Sequence, residues 1–224
     1  MRKKDKIIAV IPAYNEEKTI KKVIKETSKY VDEIIVVNDG SKDATLKEVS
    51  ETNAITVSHI VNMGLGFTLA TGCEAAIKRG ASIIIHVDGD GQHSSTEIPK
   101  LVKALVDNGL DIVFGSRPQD KTMPFVKRLG NETIYQMSKF MFKIDVKDTQ
   151  TGFRCFRANV YDKIKWKSSR YAVASEIVKN VGINKLKYKE VEVKTIYLDN
   201  YKGTTIIDGA KIGFDMILWR LGIC

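Results

Sequence analysis

Short runs of β-branched residues alternate along this chain with stretches of helical periodicity, and this alternation constrains the fold more than any other feature. The first, second and fourth runs are apolar throughout, which is typical of parallel strands covered on both faces. The pattern predicts βαβ units and a mainly parallel sheet flanked by helices, an α/β fold. The predicted strands are 6–12, 33–39, 54–60, 82–88 and 111–116, and the helices between them are 16–30, 43–52, 66–79 and 95–108.

After residue 116 the helical and strand patterns no longer alternate regularly. The remaining predictions are helices 130–142 and 172–181, strands 151–158 and 185–198, and an amphipathic tail from 205 to 221. We therefore expect a single domain, 1–224, with an α/β half to residue 116 and a mixed half over 117–224. The tail has an apolar face that could pack on the core, on a second copy in a homo-oligomer, or on a membrane. Its members are Ile206, Ile207, Ala210, Phe214, Ile217, Leu218 and Leu221.

Composition narrows the class of protein and its partners. The 224 residues carry a formal net charge of +9, which favours anionic partners. The basic residues are spread out, and this distribution disfavours a nucleic-acid-binding module. Cys73, Cys155 and Cys224 are far apart, so neither a disulfide framework nor a zinc site is expected, and a reducing cytoplasm is favoured. No apolar run approaches the roughly 18 residues of a membrane span, so we expect a cytoplasmic protein that could lie on the membrane face.

Polar residues follow four of the predicted strands at the point where each strand ends. These segments are Pro12-Ala13-Tyr14-Asn15-Glu16-Glu17, Asn38-Asp39-Gly40-Ser41, Asp88-Gly89-Asp90-Gly91-Gln92-His93 and Gly115-Ser116-Arg117. The carboxyl ends of parallel strands meet at one edge of the sheet, where open α/β folds bind their ligands. The sequence therefore predicts a polar site at this edge.

The third of these segments places two carboxylates and an amide after a buried strand. If the backbone stays extended over 88–92, the side chains of Asp88, Asp90 and Gln92 point to the same side. Mg²⁺ and Mn²⁺ prefer oxygen ligands, and Mg²⁺ is usually held by one or two carboxylates together with substrate phosphates. The alternative is a solvated turn, because Asp-Gly pairs are common in turns. Together with the other strand ends, the segment favours a divalent metal site that binds a diphosphate.

The ordered set I-P-A-Y-N-E-E, V-V-N-D-G-S, D-G-D-G-Q-H, G-S-R and D-T-Q-T-G-F resembles the family-2 inverting glycosyltransferases. Within that family it looks most like the dolichyl- and polyprenyl-phosphate sugar synthases, whose metal motif reads D-x-D-x-Q. The resemblance covers nearly the whole chain. It implies a GT-A nucleotide-sugar fold, a Mg²⁺ or Mn²⁺ cofactor, a UDP- or GDP-linked sugar donor, and transfer to an acceptor with inversion at the anomeric carbon.

The resemblance also implies roles for individual positions. The base and ribose pocket would be lined by Pro12, Ala13, Tyr14 and Glu16, with Asp39 at the base edge and Asp88 near the ribose and diphosphate. Asp90 and Gln92 would ligate the metal. The acceptor phosphate would be received by Arg117, Lys127 and Arg128. On this basis the catalytic candidates are Asp88, Asp90 and Arg117. Related enzymes often carry a loop that reads R-x-x-G-x-S, and residues 201–205 depart from it.

The chemistry depends on the acceptor, which the sequence leaves open. A polyprenyl phosphate presents an oxygen that is already anionic, whereas a hydroxyl of a saccharide or other soluble acceptor needs a carboxylate base. Asp148 and Glu176 are the candidate bases, but each also has a structural interpretation: Asp148 as a turn cap, and Glu176 as a solvent-facing helix residue. His93 lies close enough to the site to contact phosphate.

A nucleotide-sugar pyrophosphorylase is a competing enzyme class. Such enzymes usually have a glycine-rich loop after the first strand, and this chain has P-A-Y-N-E-E there, which disfavours that class.

Overall fold

The computed structural model describes residues 5–117, 125–194 and 206–223. Within these ranges the strands form a single sheet in the order β3-β2-β1-β4-β6-β5-β7. Every neighbouring pair is parallel except the two pairs that contain β6. The strands are β1 (Ile7–Ala13), β2 (Glu33–Asp39), β3 (Ile55–His59), β4 (Ile83–His86), β5 (Ile112–Ser116), β6 (Arg154–Arg157) and β7 (Tyr188–Glu192). The predicted α/β fold with a mainly parallel sheet is confirmed.

Helices connect the strands and cover both faces of the sheet. They are α1 (Ile20–Thr27), α2 (Thr45–Ser50), α3 (Leu65–Lys78), α4 (Ile98–Asp107), α5 (Phe125–Phe142), α6 (Tyr161–Ile164), α7 (Val173–Ile183) and α8 (Ile206–Leu221). Helix α4 begins with Pro99 in its first turn, where a missing N–H costs nothing. The predicted helices are present with shifted ends, and α1 begins four residues later than the pattern predicts.

The side chains of each buried strand alternate between two apolar layers. In β1, Ile8 and Val10 belong to the apolar cluster that includes residues of α3, α7 and α8, whereas Ala9 and Ile11 belong to the cluster that includes residues of α1, α2 and α4. This division follows from the two-residue period of a strand. The core therefore lies on both sides of the sheet, which leaves the strand ends as the place for polar residues.

Helix α3 approaches β1 closely because it carries a glycine where the two elements meet. A Cβ added at Gly72 would lie 2.3 Å from Cγ1 of Val10. We expect Gly72→Ala to lower the free energy of unfolding by about 2 kcal/mol, since overpacking a rigid core forces side chains out of their rotamers. Urea unfolding monitored by circular dichroism measures this loss.

Gly130→Ala is the matched control, because Gly130 is also inside a helix, α5, and a Cβ there has no described atom within 4 Å. This control should gain roughly 0.5–1 kcal/mol from helix propensity. Equal unfolding free energies for the two variants would contradict the close packing of α3 on β1.

The second half of the chain joins the same sheet as the first half. Strand β6 lies between β4 and β5 and runs antiparallel to both. The predicted strand 185–198 corresponds to β7, and its residues 195–198 lie outside the described residues. The sheet is therefore continuous from residues of the 1–116 half to residues of the 117–224 half.

The amphipathic tail forms α8, but its packing face differs from the predicted one. Ile212 and Met216 are buried, and α8 packs against α5 through this side. Phe214, Ile217 and Leu221, which the pattern assigns to the packed face, are 61%, 47% and 65% exposed. The helix has apolar residues on two sides, so its pattern alone could not identify the packed side. In the described part of the chain, no helix combines the length and apolar character that crossing a bilayer requires.

Candidate active site

The carboxyl ends of β1, β2, β4 and β5 face a single cavity with a volume of about 770 Å³. This position is the one at which open α/β sheets bind ligands. Ten residues to which the sequence analysis gave a role line the cavity: Pro12, Ala13, Tyr14, Glu16, Asp39, Asp88, Asp90, Gln92, His93 and Arg117. The fold thus brings these residues together, and their individual roles stay predictions.

Three other predicted features lie outside what the structure describes. Lys127 and Arg128 belong to α5, but their side chains are outside the described part of the chain. The loop 201–205 is also outside it. The predicted contacts of Lys127 and Arg128 with the acceptor phosphate therefore stay predictions.

The segment after β4 is a turn, so the expectation of extended backbone over 88–92 is wrong. Strand β4 ends at His86, Gly89 and Asp90 form the turn, and Gly91 has a φ of +77°. The backbone N–H of Gln92 donates to Oδ1 of Asp90 at 2.9 Å, an arrangement that Asp commonly makes in turns. The positive φ at Gly91 costs little because glycine has no Cβ. A turn, rather than the predicted extended strand, places the two carboxylates and the amide at the cavity.

Asp88 and Asp90 differ in their electrostatic surroundings. Burial, together with the nearby charge of Asp88, raises the pKa of Asp90 to about 6. Burial alone would also raise the pKa of Asp88, but the hydrogen bond from His93 and the charges of His93 and Arg154 keep that pKa below its usual range. Nε2 of His93 lies 2.9 Å from Oδ2 of Asp88. His93 thus contacts a carboxylate of the site, and its predicted contact with phosphate stays a prediction.

The oxygen atoms at this turn fit a hard divalent cation. Two neighbouring carboxylates that repel one another gain stability from a cation between them, and Mg²⁺ and Mn²⁺ prefer such oxygens. Within the described ranges no three His, Cys, Asp or Glu side chains form a metal-binding group. Asp88, Asp90 and Gln92 would therefore have to share the cation with oxygens of the bound substrate.

Asp39 stabilises the loop between β3 and α3. Its carboxylate is 3% exposed and accepts hydrogen bonds from the backbone N–H groups of Met63 and Gly64, both at 2.9 Å, and from Nδ1 of His59 at 2.7 Å. Burial on its own would raise the pKa of Asp39, but these hydrogen bonds lower it. The carboxylate therefore orders the loop next to the cavity, and its predicted contact with the base edge stays a prediction.

Arg117 and Asp148 form a two-point ion pair beside the cavity. Nε of Arg117 lies 2.8 Å from Oδ2 of Asp148, and Nη2 lies 2.8 Å from Oδ1. The backbone N–H of Arg117 also donates to Oδ2, at 3.1 Å. Glu190 in turn accepts a hydrogen bond from the backbone N–H of Asp148 at 2.8 Å. Asp148 therefore holds the predicted phosphate-binding arginine in place, a role that sequence reasoning missed.

Glu176 is 4% exposed, so the expectation that it faces solvent is wrong. Its Oε2 accepts hydrogen bonds from the backbone N–H groups of Lys167 and Ser168, at 3.1 and 2.9 Å, and from the Ser168 hydroxyl at 2.6 Å. The segment fixed in this way continues to Arg170 and Tyr171, which line the cavity. Glu176 therefore positions one wall of the cavity.

The lining residues to which the sequence analysis assigned no role include four with polar side chains: Gln150, Arg154, Arg170 and Tyr171. Gln150 belongs to the quoted motif D-T-Q-T-G-F, and Arg154 follows that motif directly. An arginine so close to a recognised motif was a usable signal. No local pattern marks Arg170 and Tyr171, which reach the cavity through the fold of the segment that Glu176 anchors.

The chain is similar to known proteins in sequence. The family model described as Glycosyl transferase family 2 matches residues 8–165. The UDP-N-acetylglucosamine–dolichyl-phosphate N-acetylglucosaminyltransferase of Methanococcus voltae is 34% identical, over 97% of this chain and 98% of that protein. The polyprenol monophosphomannose synthase of Mycolicibacterium smegmatis is 28% identical, over 73% of this chain and 66% of that protein.

The chain is also similar to solved structures. Glucosyl-3-phosphoglycerate synthase from Mycobacterium tuberculosis, in complex with Mn²⁺, uridine diphosphate and phosphoglyceric acid, matches with a TM-score of 0.76 at 20% identity. The match covers 99% of this chain and 80% of the other. This likeness shows the fold, which is of the GT-A type that the sequence resemblance implies.

Proposed function

Because this chain belongs to glycosyl transferase family 2, we propose that it transfers a sugar from a nucleoside-diphosphate sugar to a polyprenyl phosphate, with Mg²⁺ or Mn²⁺ bound. The observation that carries the proposal is the meeting of Asp88, Asp90 and Gln92 with Arg117 around one cavity. The oxygens suit a cation that binds a diphosphate, and the guanidinium suits a phosphate.

The donor occupies the part of the cavity next to β1 and β2 in this proposal. Pro12, Ala13, Tyr14 and Glu16 surround the base and ribose, and Asp39 lies at the base edge. The cavity of about 770 Å³ is within the usual range for a small-molecule site. The relative from Methanococcus voltae is named for a UDP-linked donor, so UDP-N-acetylglucosamine is the first donor to test.

Both candidate bases are engaged elsewhere, which favours a phosphate acceptor over a hydroxyl acceptor. Asp148 pairs with Arg117, and Glu176 accepts hydrogen bonds from the 167–168 backbone. A phosphate oxygen is already ionised and attacks the anomeric carbon without a base, as the bond to the nucleoside diphosphate breaks. The cation, when bound, supplies positive charge that offsets the negative charge of the departing diphosphate. The two relatives named above are named for dolichyl-phosphate and polyprenol chemistry, which agrees with this acceptor.

A polyprenyl acceptor lies in a membrane, so the protein must reach the membrane surface. We place it at the cytoplasmic face as a peripheral protein. The exposed apolar side chains of Phe214, Ile217 and Leu221 on α8 are consistent with such a contact.

Sugar transfer is tested by separating lipid and water-soluble products. The protein is incubated with Mn²⁺ or Mg²⁺, a polyprenyl phosphate, and radiolabelled UDP-N-acetylglucosamine, UDP-glucose or GDP-mannose, and the mixture is extracted with organic solvent. We expect label in the organic phase with one of the donors, and none when a chelator removes the metal. Label only in water-soluble saccharide would contradict the lipid acceptor, and transfer undiminished by the chelator would contradict the metal.

A further inference from the structure

Arg154 is a buried cation at the wall of the cavity. It is the first residue of β6, where it stands opposite His86 of β4 and Phe114 of β5. Its side chain is 2% exposed, and burial lowers its pKa to about 10. A guanidinium carries five N–H donors, so a buried arginine needs several acceptors around it.

The described residues satisfy only part of this need. Nη2 of Arg154 donates to the carbonyl oxygen of Thr151. Nε and Nη1 are buried and have no hydrogen-bond partner among the described residues. Two donors on the same planar group are therefore left for an acceptor that is not part of the described chain.

The nearby carboxylates do not take up these donors. Oδ2 of Asp88 accepts from His93, and Asp148 forms its ion pair with Arg117. The salt bridges found in the described ranges do not include Arg154. The two acids influence its charge from a distance, but they leave Nε and Nη1 unfilled.

We propose that Nε and Nη1 of Arg154 bind the oxygens of a phosphoryl group in the cavity. Nε–H and Nη1–H point from different edges of the guanidinium, so each would donate to a different oxygen, and a water-excluded position strengthens such charge-assisted hydrogen bonds. The proposal extends the proposed function, because the phosphoryl group belongs either to the diphosphate of the donor or to the polyprenyl phosphate. Arg154 and Arg117 would then provide two separate cations between the donor and the acceptor.

A purely structural role is the competing explanation, in which Arg154 offsets the charge of Asp88. That role would require the guanidinium charge but no ligand at Nε and Nη1. The position of Arg154 on the cavity wall, with two donors unused, favours ligand binding.

Calorimetry with matched arginine variants tests the proposal. Arg154→Met removes the charge, and Arg154→Lys keeps the charge but loses the planar guanidinium and its several N–H donors. Arg157→Met is the control, because Arg157 is on the same strand, donates to the carbonyl of Leu110 at 3.1 Å and does not line the cavity. The probes, each with Mn²⁺, are inorganic pyrophosphate, UDP, GDP, uridine and a short-chain prenyl phosphate.

We expect Arg154→Met to lower the affinity for at least one phosphate ligand by about tenfold or more, while the affinity for uridine stays unchanged. Arg154→Lys should weaken the same ligand less, and Arg157→Met should match the wild-type protein. Weaker pyrophosphate and nucleoside diphosphate binding would assign Arg154 to the donor. Weaker prenyl phosphate binding would assign it to the acceptor. Unchanged affinity for every phosphate ligand in a folded Arg154→Met variant would overturn the proposal.

A measurement on the wild-type protein covers the case in which Arg154→Met does not fold. The Nε–H resonance of Arg154, assigned by its loss in Arg154→Lys, should shift when a phosphate ligand is added. A resonance that stays in place at saturating ligand would overturn the proposal. Pyrophosphate binding at Arg154 without any sugar transfer would refute the proposed function alone, whereas normal transfer and affinities in Arg154→Met would refute only the role of Arg154.

Discussion

Asp90→Ala is expected to reduce the rate of sugar transfer by about 10³-fold or more while leaving the fold intact. Asp90 lines the cavity on a turn, where its carboxylate accepts a hydrogen bond from the N–H of Gln92, and burial near Asp88 raises its pKa to about 6. Without this carboxylate the site would lose one of the two anionic ligands proposed for the metal. Metal-assisted stabilisation of a leaving group supplies several kcal/mol, so a loss of ~4 kcal/mol is reasonable. The organic-phase assay measures the rate, and the far-UV circular dichroism spectrum checks the fold.

Asp107→Ala is the matched control for this change. Asp107 is also an aspartate, but it is on α4, half-exposed, and pairs with Lys103 in solvent. Its removal should leave the transfer rate within about twofold, since exposed ion pairs contribute little. A normal rate in Asp90→Ala would show that the metal is bound elsewhere or is not required.

Glu176→Ala is expected to lower the free energy of unfolding by about 3 kcal/mol, because it removes a buried carboxylate that accepts three hydrogen bonds. The donors are the backbone N–H groups of Lys167 and Ser168 and the Ser168 hydroxyl. For a chain of this size the loss corresponds to a fall in Tm of roughly 6–12 °C. Differential scanning calorimetry measures it. Donor affinity should also fall, because Arg170 and Tyr171 line the cavity from the same segment.

Glu74→Ala provides the comparison, since Glu74 makes a solvent-exposed ion pair with Lys165 at 3.0 Å. Such pairs contribute about 0–1 kcal/mol, so its Tm should change by at most a few degrees. If Glu176→Ala were no less stable than Glu74→Ala, the hydrogen bonds that Glu176 accepts would not stabilise the segment.

The parts of the fold that depend on local pattern were predictable. Apolar strands with helices between them led directly to the parallel sheet, and the rule that ligands bind at strand ends led to the cavity. The antiparallel direction of β6 was not predictable, because it depends on which neighbours Arg154–Arg157 finds in space. The tail shows the same limit, since only its packing on α5 decides that Ile212 and Met216 are buried and Phe214 is exposed.

The candidate site was predictable as a set of residues but less so in its contacts. Asp88, Asp90 and Gln92 were identified from spacing, yet a turn rather than a strand delivers them. Asp148 and Glu176 were recognised as acids of interest, and their partners, which lie far away in sequence or on another segment, decide what they do. Long-range pairs such as Arg117 with Asp148 leave no trace in a single sequence.

The insertion of β6 between β4 and β5 has a consequence for how the protein reaches its native form. Until a late segment of the chain arrives, β4 and β5 have no neighbour on their facing edges, and the cavity lacks the wall that contains Arg154. Contacts between segments so distant along the chain form slowly, because a long loop must close first. A nascent or truncated polypeptide that ends before β6 also lacks β7, so it would expose one edge of β4 and both edges of β5. Such edges invite aggregation.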